Sequence, residues 1–342
     1  MLLAATAAFR YPAFADEPIG QSQLETARMS LATHYADVAK RAGGEQAAAL
    51  TERIDSDIGG FLSGDVPSNL TKTAWTARLN ALAALDSSLV AQLVSGAPDP
   101  IAGAHGLVER LFKSKVDGTL EPFALYVPNS AGSEPTLVIL LHGNPQTEAE
   151  VLVGPYFQSL ADLTGTIVAA PLARGVPGYP PPAGDDVYQV ADEVRTAYNV
   201  APHRTFLVGY SNGGFAVFRI GPTRPDAWSG VMCIAGAVDN SEAAQVKSAF
   251  YKTRIYVVNG AHDENIPPQL GKQTAQWLAG VGVPTGFYQE PTGTHFLFTL
   301  MPTLTSAWRD MIHGSISPDA AAAAGHTPDS LDLGPSALRP RR

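Results

Sequence analysis

The chain has 342 residues, long enough for one large domain and a smaller one, and 45% of them are hydrophobic against 16% charged. This balance is typical of a folded globular protein and argues against a disordered chain. The formal net charge of −9 offers no positive surface to a phosphate backbone, so the sequence predicts no nucleic-acid binding. The one cysteine, Cys233, excludes an intrachain disulfide, and its apolar neighbours predict a core position.

The N-terminus, MLLAATAAFRYPAFADEP, is similar to a short secretory signal that ends in an Ala13-Phe14-Ala15 cleavage site. Two features are atypical, because no positive charge precedes the apolar run and Arg10 interrupts it. We expect a signal peptide over residues 1–15 and a secreted or periplasmic protein, with a cytoplasmic protein as the alternative. No apolar stretch reaches the roughly 20 residues that a membrane span requires.

Residues 16–100 are predicted to form a helical segment. Ser22–Glu25 matches a capping box, and the helix that follows is predicted to end at the glycine pair 43–44. A second stripe at helical spacing consists of Trp75, Leu79, Leu82, Leu89 and Leu93. Glycine and proline then predict a linker over 95–106. The spacing leaves open whether the segment caps a pocket, packs on a sheet edge or forms a dimer contact.

Residues 101–313 follow a different pattern, that of an α/β domain. The segments LVERLFKSKVDG and EPFALYVP predict a β-hairpin. Six short apolar runs follow, at 136–141, 166–170, 205–208, 230–235, 254–258 and 285–290. One helical face between them carries Val187, Val190, Val194 and Tyr198. Apolar strands alternating with helices predict a mostly parallel central sheet with helices on both faces. The tail, 314–342, is rich in Ala, Pro and Ser and is predicted to be disordered.

Ser211 lies in the sequence GYSNGG, which matches G-x-S-x-G directly after an apolar strand and before a helical stretch. A serine in this context is predicted to occupy a strained strand-to-helix turn. Gly209 and Gly213 fit that turn because any side chain there would collide with neighbouring backbone. We therefore interpret Ser211 as a nucleophile and not as part of a flexible loop.

Two further candidate groups follow later strands, where an open α/β sheet binds its ligands. Asp263, in GAHDENIPP, is predicted to orient an imidazole, with Asp239 and Glu264 as rival acids. His295, in PTGTHFLF, is predicted to be the general base, because the chain order serine, acid, histidine is the one that this architecture requires. His262 is its main rival, but it neighbours Asp263 directly, and adjacent residues rarely face each other.

Two loops complete the predicted site. A tetrahedral intermediate needs two backbone N–H donors, and Asn212 and Asn144 are predicted to supply them. His142, in the same LLHGNP turn, is interpreted as a structural histidine that fixes the loop. The Pro- and Gly-rich loop 173–186 forms either a pocket wall with Tyr179 at its tip or a surface connection.

These motifs, LHGNP, DDVYQVADEVRTAYNVAPHRTFLVGYSNGG, GAHDENIP and GTH, make residues from about 107 to 313 resemble the α/β-hydrolase superfamily. Within it the chain is similar to the exported esterases, near polyhydroxybutyrate-depolymerase-like and feruloyl-esterase-like proteins and the prolyl-oligopeptidase-like catalytic domain. The resemblance implies that Ser211 is the nucleophile, His295 the general base and Asp263 the orienting acid. It further implies ester hydrolysis through an acyl-enzyme.

Two alternatives to an esterase stay open. A serine peptidase of the prolyl-oligopeptidase-like type would use the same residues, although such peptidases carry a β-propeller and the additional segment here is short and helical. The second alternative is a non-catalytic binding protein on the same fold. The sequence predicts no cofactor and no metal, since no histidine and acid cluster has ligand spacing. The predicted partner is a small or polymeric ester, and the oligomeric state stays open.

Overall fold

A computed structural model of the chain describes residues 71–325. The predicted signal peptide, the first predicted helix and the tail from residue 326 lie outside the described residues. The division of the chain near residue 100 into two domains stays a prediction.

Eight strands form one sheet in the order β1-β2-β4-β3-β5-β6-β7-β8. They are β1 (Gly106–Lys113), β2 (Leu120–Val127), β3 (Thr136–Leu141), β4 (Thr166–Pro171), β5 (Thr205–Tyr210), β6 (Gly230–Ile234), β7 (Arg254–Gly260) and β8 (Thr285–Glu290). β1 pairs antiparallel with β2, and β2 pairs antiparallel with β4, while all other neighbours are parallel. The predicted hairpin, the six predicted strands and the mostly parallel sheet are confirmed.

Helices cover the sheet. They are α1 (Lys72–Ser95), α2 (Glu148–Val153), α3 (Pro155–Thr164), α4 (Ala183–Ala197), α5 (Asn212–Ile220), α6 (Ala243–Ala249), α7 (Pro268–Gly280), α8 (Leu297–His313) and α9 (Pro318–Ala324). None of these described helices combines the length and hydrophobicity that crossing a membrane requires.

The core consists of two apolar layers, one on each face of the sheet. Along β3, Ile139 contributes to one layer and its neighbours Val138 and Leu140 to the other, and every residue of the strand is buried. This is why the strand reads as an uninterrupted apolar run in the sequence. Cys233 is buried in β6, as predicted, and burial raises the pKa of its thiol.

α4 confirms the predicted apolar face. Val187, Val190 and Val194 are fully buried against the sheet. Tyr198, directly after the helix, is half-buried and donates its hydroxyl to the carbonyl oxygen of Ile101 at 2.8 Å. The α4 stripe therefore ends on a polar contact with the segment that precedes β1.

α1 lies along β1, the first edge strand of the sheet. Gln92 is 2% exposed and acts as a short substitute for a neighbouring strand. Its Nε2 donates to the carbonyl oxygen of Glu109 at 3.1 Å, and its Oε1 accepts from the N–H of Leu111 at 3.1 Å. Of the three roles left open for the predicted helical segment, the described part therefore packs on the sheet edge.

The predicted apolar stripe of this helix is described only in part. Leu82 and Leu89 are buried and Leu93 is half-buried. The side chains of Trp75 and Leu79 lie outside the described residues.

The C-terminal tail departs from its prediction. Disorder from residue 314 is wrong over Pro318–Ala324, which forms α9 and packs against β8. The helix begins at Ser317, whose side chain accepts from the N–H of Ala320 at 3.3 Å. Alanine loses little side-chain entropy in a helix, and Ala320 and Ala324 are small enough to be buried against the sheet. An Ala-rich segment can therefore fold once a surface is available to cover.

Gln92→Ala is expected to lower the free energy of unfolding by about 2 to 3 kcal/mol, because it leaves buried backbone groups of β1 without a partner. Urea denaturation followed by circular dichroism measures the change. Gln269→Ala, at an exposed position of α7, serves as the control and is expected to change stability by less than about 0.5 kcal/mol. Equal stability of the two variants would contradict the edge-covering role of Gln92.

Candidate active site

Ser211 lies at the turn between β5 and α5. Its backbone has φ 53° and ψ −113°, a region that a residue with a side chain seldom adopts. The strain is held by neighbouring structure, since the Ser211 N–H donates to the carbonyl oxygen of Ile234 at 2.9 Å. The turn lifts the hydroxyl to the carboxyl edge of the sheet, where the sequence predicts the site.

Glycine is required on both sides of Ser211 by the approach of backbone atoms. A β-carbon placed on Gly209 would lie 2.0 Å from the carbonyl oxygen of Gly213. One placed on Gly213 would lie 2.1 Å from the carbonyl oxygen of Leu141, at the end of β3. The predicted collisions are thus confirmed.

The structure brings Ser211, His295 and Asp263 together in one hydrogen-bonded row. The His295 Nε2 lies 3.0 Å from the Ser211 Oγ, and its Nδ1 lies 2.9 Å from the Asp263 Oδ2. The other carboxylate oxygen, Oδ1, accepts from the N–H groups of Asn265 at 2.9 Å and Ile266 at 2.8 Å. The Asp263 side chain is fully buried, while 12% of the His295 side chain is exposed. The row therefore runs from a buried acid to a hydroxyl at the protein surface.

The acid and the histidine meet because the turns after β7 and β8 pack backbone against backbone. A β-carbon on Gly260 would lie 2.4 Å from the carbonyl oxygens of both Gly293 and Thr294. The N–H of His262 donates to the carbonyl oxygen of Gly293 at 2.8 Å. These contacts fix the two turns relative to each other.

The rival residues lie elsewhere. Asp239 accepts from the hydroxyl of Ser241 at 2.6 Å and from its N–H at 2.8 Å, and this hydrogen bonding lowers the pKa of Asp239. It stabilises its own turn. Glu264 and His262 are exposed. His295, which is predicted from its order in the chain, contacts Asp263. His262, the neighbour of Asp263 in the sequence, does not.

The loop after β3, residues 142–145, lies directly against Ser211. A β-carbon on Gly143 would approach both the Ser211 Cβ and the Tyr210 Cδ1 to 3.2 Å. The N–H of Asn212 belongs to the first turn of α5, where helix geometry provides no intrahelical acceptor. Within residues 71–325, neither this N–H nor that of Asn144 forms a hydrogen bond.

Tyr210 is a site residue that the sequence reasoning missed. Its ring centroid lies 5.4 Å from that of His295, with the planes inclined by 33°. Its hydroxyl donates to the carbonyl oxygen of His295 at 2.9 Å. An aromatic residue immediately before the serine of G-x-S-x-G was the available signal, because that position ends a strand beside the site. Tyr210 holds both the backbone and the ring of the histidine.

Tyr179 is buried and does not lie at an exposed tip of the loop 173–186, whose role as pocket wall or surface connection stays a prediction. It is 3% exposed and packs on the imidazole of His142, with ring centroids 5.5 Å apart. His142 is buried too, and its ring nitrogens lie near the carbonyl oxygens of Gly143 and Leu172, in agreement with a structural role. The two residues form a buried pair behind the loop 142–145.

The described residues contain no group of three or more His, Cys, Asp or Glu side chains placed to hold a metal ion.

Comparison with known proteins gives one match among curated sequences and many among solved structures. No family model matches the chain. A protein named "Putative esterase NocK" from Nocardia uniformis subsp. tsuyamanensis is 26% identical over 142 residues, which cover 37% of this chain and 41% of that protein. The match thus spans well under half the length of the relative.

Two solved structures share the architecture. FphF, a fluorophosphonate-binding serine hydrolase of Staphylococcus aureus, is 15% identical with a TM-score of 0.53, covering 62% of this chain and 99% of that one. The S-formylglutathione hydrolase FrmB of the same species is 15% identical with a TM-score of 0.51, covering 60% and 96%. At this identity the similarity concerns the fold. With its eight-stranded, mostly parallel sheet between two layers of helices, the chain has the fold of the α/β-hydrolase superfamily.

Proposed function

We propose that the protein is a serine hydrolase that cleaves carboxylic esters through an acyl-enzyme intermediate. The observation that carries the proposal is the continuous row from the Ser211 hydroxyl through His295 to the buried Asp263, with 3.0 Å and 2.9 Å between partners. The name of the sequence relative, an esterase, and the hydrolase names of the structural neighbours support the same reaction class.

The first half of the reaction forms the acyl-enzyme. The Ser211 Oγ attacks the ester carbonyl carbon while its proton passes to the Nε2 of His295. The tetrahedral intermediate then collapses, the bond to the alcohol oxygen breaks, and the alcohol leaves with the proton from Nε2. Water attacks the acyl carbon by the same proton route and releases the acid.

Asp263 acts on the histidine and not on the substrate. Its Oδ1 is already held by two N–H groups, so its Oδ2 is directed at the Nδ1–H of His295. This hydrogen bond keeps Nε2 free to accept a proton and stabilises the imidazolium that forms. Tyr210 supports His295 in two ways: its ring packs on the imidazole, and its hydroxyl donates to the carbonyl oxygen of His295.

The negative oxygen of the intermediate is proposed to lie between the N–H groups of Asn212 and Asn144. Such donors stabilise charge that develops in the transition state, and each contributes about 3 to 4 kcal/mol. The position of Gly143 against Ser211 supports this assignment, because it keeps the loop within reach of a carbonyl bonded to the Ser211 Oγ.

Ser211→Ala is expected to lower the turnover of short p-nitrophenyl esters by more than about 10⁴-fold, since the covalent route is lost. It is also expected to abolish labelling by a fluorophosphonate, measured as added mass on the intact protein. Ser159→Ala, at an exposed serine of α3, serves as the matched control and should behave as the wild type. Near-native turnover in Ser211→Ala would overturn the assignment, and an unlabelled wild type would favour the binding-protein alternative.

Asp263→Asn is expected to lower kcat about 10³- to 10⁴-fold, because an amide can no longer fix the required tautomer of His295. Asp239→Asn tests the rival acid and is expected to change kcat less than about twofold, since its contacts are confined to its own turn. The measurement is steady-state hydrolysis of p-nitrophenyl butyrate by both variants. A larger loss in the Asp239 variant would reverse the assignment of the acid.

Gly143→Ala is expected to lower kcat about tenfold to a hundredfold, because a β-carbon 3.2 Å from Ser211 Cβ displaces the loop 142–145. Gly132→Ala is the matched control, since no atom lies within 4 Å of a β-carbon at that exposed glycine. Kinetics and thermal unfolding of both variants separate lost activity from lost stability. Equal kcat values would remove the loop from the proposed mechanism.

A further inference from the structure

The loop after β4, residues 172–182, packs behind the loop 142–145 that carries Asn144. We call the first the β4–α4 loop and the second the donor loop. The β4–α4 loop adopts several left-handed conformations, including φ 53° at Tyr179. A bulky residue in this conformation is strained, and an observed strain of this kind is a reason to look for a function.

Tyr179 directs its hydroxyl at the donor loop. The hydroxyl donates to the carbonyl oxygen of His142 at 3.1 Å while the ring packs on the His142 imidazole. Burial raises the pKa of Tyr179 well above its ordinary value, so the phenol keeps its proton and stays a donor at neutral pH. The Tyr179 hydroxyl thus contacts the backbone of the donor loop, while the residue also belongs to an apolar layer of the core.

The His142 side chain contacts the next peptide group, that between Gly143 and Asn144. Its Nδ1 lies 3.0 Å from the carbonyl oxygen of Gly143, and its Nε2 lies 3.2 Å from the carbonyl oxygen of Leu172 in the β4–α4 loop. Carbonyl oxygens only accept and a neutral imidazole carries one N–H, so we assign that proton to Nδ1, which then donates to the carbonyl oxygen of Gly143. Tyr179 fixes where His142 lies, through its hydrogen bond to the His142 carbonyl oxygen and its ring contact with the imidazole.

Because the Gly143–Asn144 peptide is planar, a contact that holds the Gly143 carbonyl also sets the direction of the Asn144 N–H. The Gly143 carbonyl and the Asn144 N–H belong to one planar group and point in opposite directions when the bond is trans. A contact that holds the Gly143 carbonyl at His142 therefore aims the Asn144 N–H away from it. Because Gly143 packs on Ser211, we infer that the Asn144 N–H, directed away from His142, lies on the Ser211 side of the loop.

The β4–α4 loop is in turn tied to the helix of the nucleophile. Arg219, in α5, donates through Nη1 to the carbonyl oxygen of Gly178 and through Nε to Glu242 at 2.8 Å. The residue before Tyr179 is thus anchored to the same helix whose first N–H is the second proposed donor. The loop that carries Tyr179 and the N–H of Asn212 are thus both attached to α5.

We propose that Tyr179 is a positioning residue that sets the direction of the Asn144 N–H through His142. The inference rests on the proposed function, because it assigns that N–H to the oxyanion of the transition state. The Tyr179 hydroxyl then stabilises the transition state more than the bound ester, and its removal affects kcat rather than KM.

The test is Tyr179→Phe, which deletes the hydroxyl and keeps the ring. We expect kcat for p-nitrophenyl butyrate to fall about fivefold to tenfold with KM changed less than about twofold. The inhibition constant of a trifluoromethyl ketone, which forms an oxyanion on Ser211, should rise by the same factor as kcat/KM falls. Titration with a fluorophosphonate counts the active sites, and each kcat is calculated per titrated site. A fall in kcat therefore does not come from a smaller fraction of folded protein.

Tyr188→Phe is the matched control. Tyr188 is also buried, and its hydroxyl donates to the carbonyl oxygen of Ile220 at 2.7 Å, away from the donor loop. It should lose similar stability and keep kcat and the inhibition constant within about twofold of the wild type. Equal values for both variants would overturn the role of Tyr179 alone. A wild type without ester turnover and labelling would overturn the hydrolase proposal itself.

Discussion

Direct packing of backbone on backbone at the carboxyl edge of the sheet is the constraint on which the site depends. Gly213 lies so close to the end of β3 that a β-carbon would come within 2.1 Å of the Leu141 carbonyl oxygen and 2.9 Å of that of His142. The same contact holds the nucleophile turn and the start of the donor loop. The position of the Ser211 turn relative to the end of β3 is therefore set by backbone contact and not by side chains.

Asp263 and His295 are positioned by a second backbone contact, at the other end of the site. Gly260 allows the turns after β7 and β8 to touch, and the buried Asp263 finds backbone N–H donors within its own turn. A buried carboxylate is costly unless it is paired and hydrogen-bonded, so these local donors are what permits an acid behind His295. The Gly260 contact thus brings residues that follow two separate strands, β7 and β8, into hydrogen-bond distance.

Much of this arrangement could be predicted from the sequence, because it is encoded in local patterns. Apolar runs predicted the strands, and the glycines of GYSNGG predicted the strained turn at Ser211. Tyr210 and Tyr179 could not be assigned, since their roles depend on which side chains face each other after the sheet has formed. The same holds for Gln92, which covers the β1 edge, and for α9, a short helix that packs against β8.

The site thus combines two kinds of positioning that differ in what sustains them. Ser211 and Asp263 are placed by their own turns, which the glycines and backbone donors define within a few residues. The face of the donor loop turned away from Ser211 is fixed by side chains from a different loop, through Tyr179 and His142. In our proposal a hydrogen bond from one phenol sustains this second arrangement. The direction of the Asn144 N–H then depends on residues distant in sequence from both Ser211 and His295. Under the proposed mechanism, a substitution in the β4–α4 loop therefore lowers the rate of ester cleavage although the substituted residue does not touch the ester.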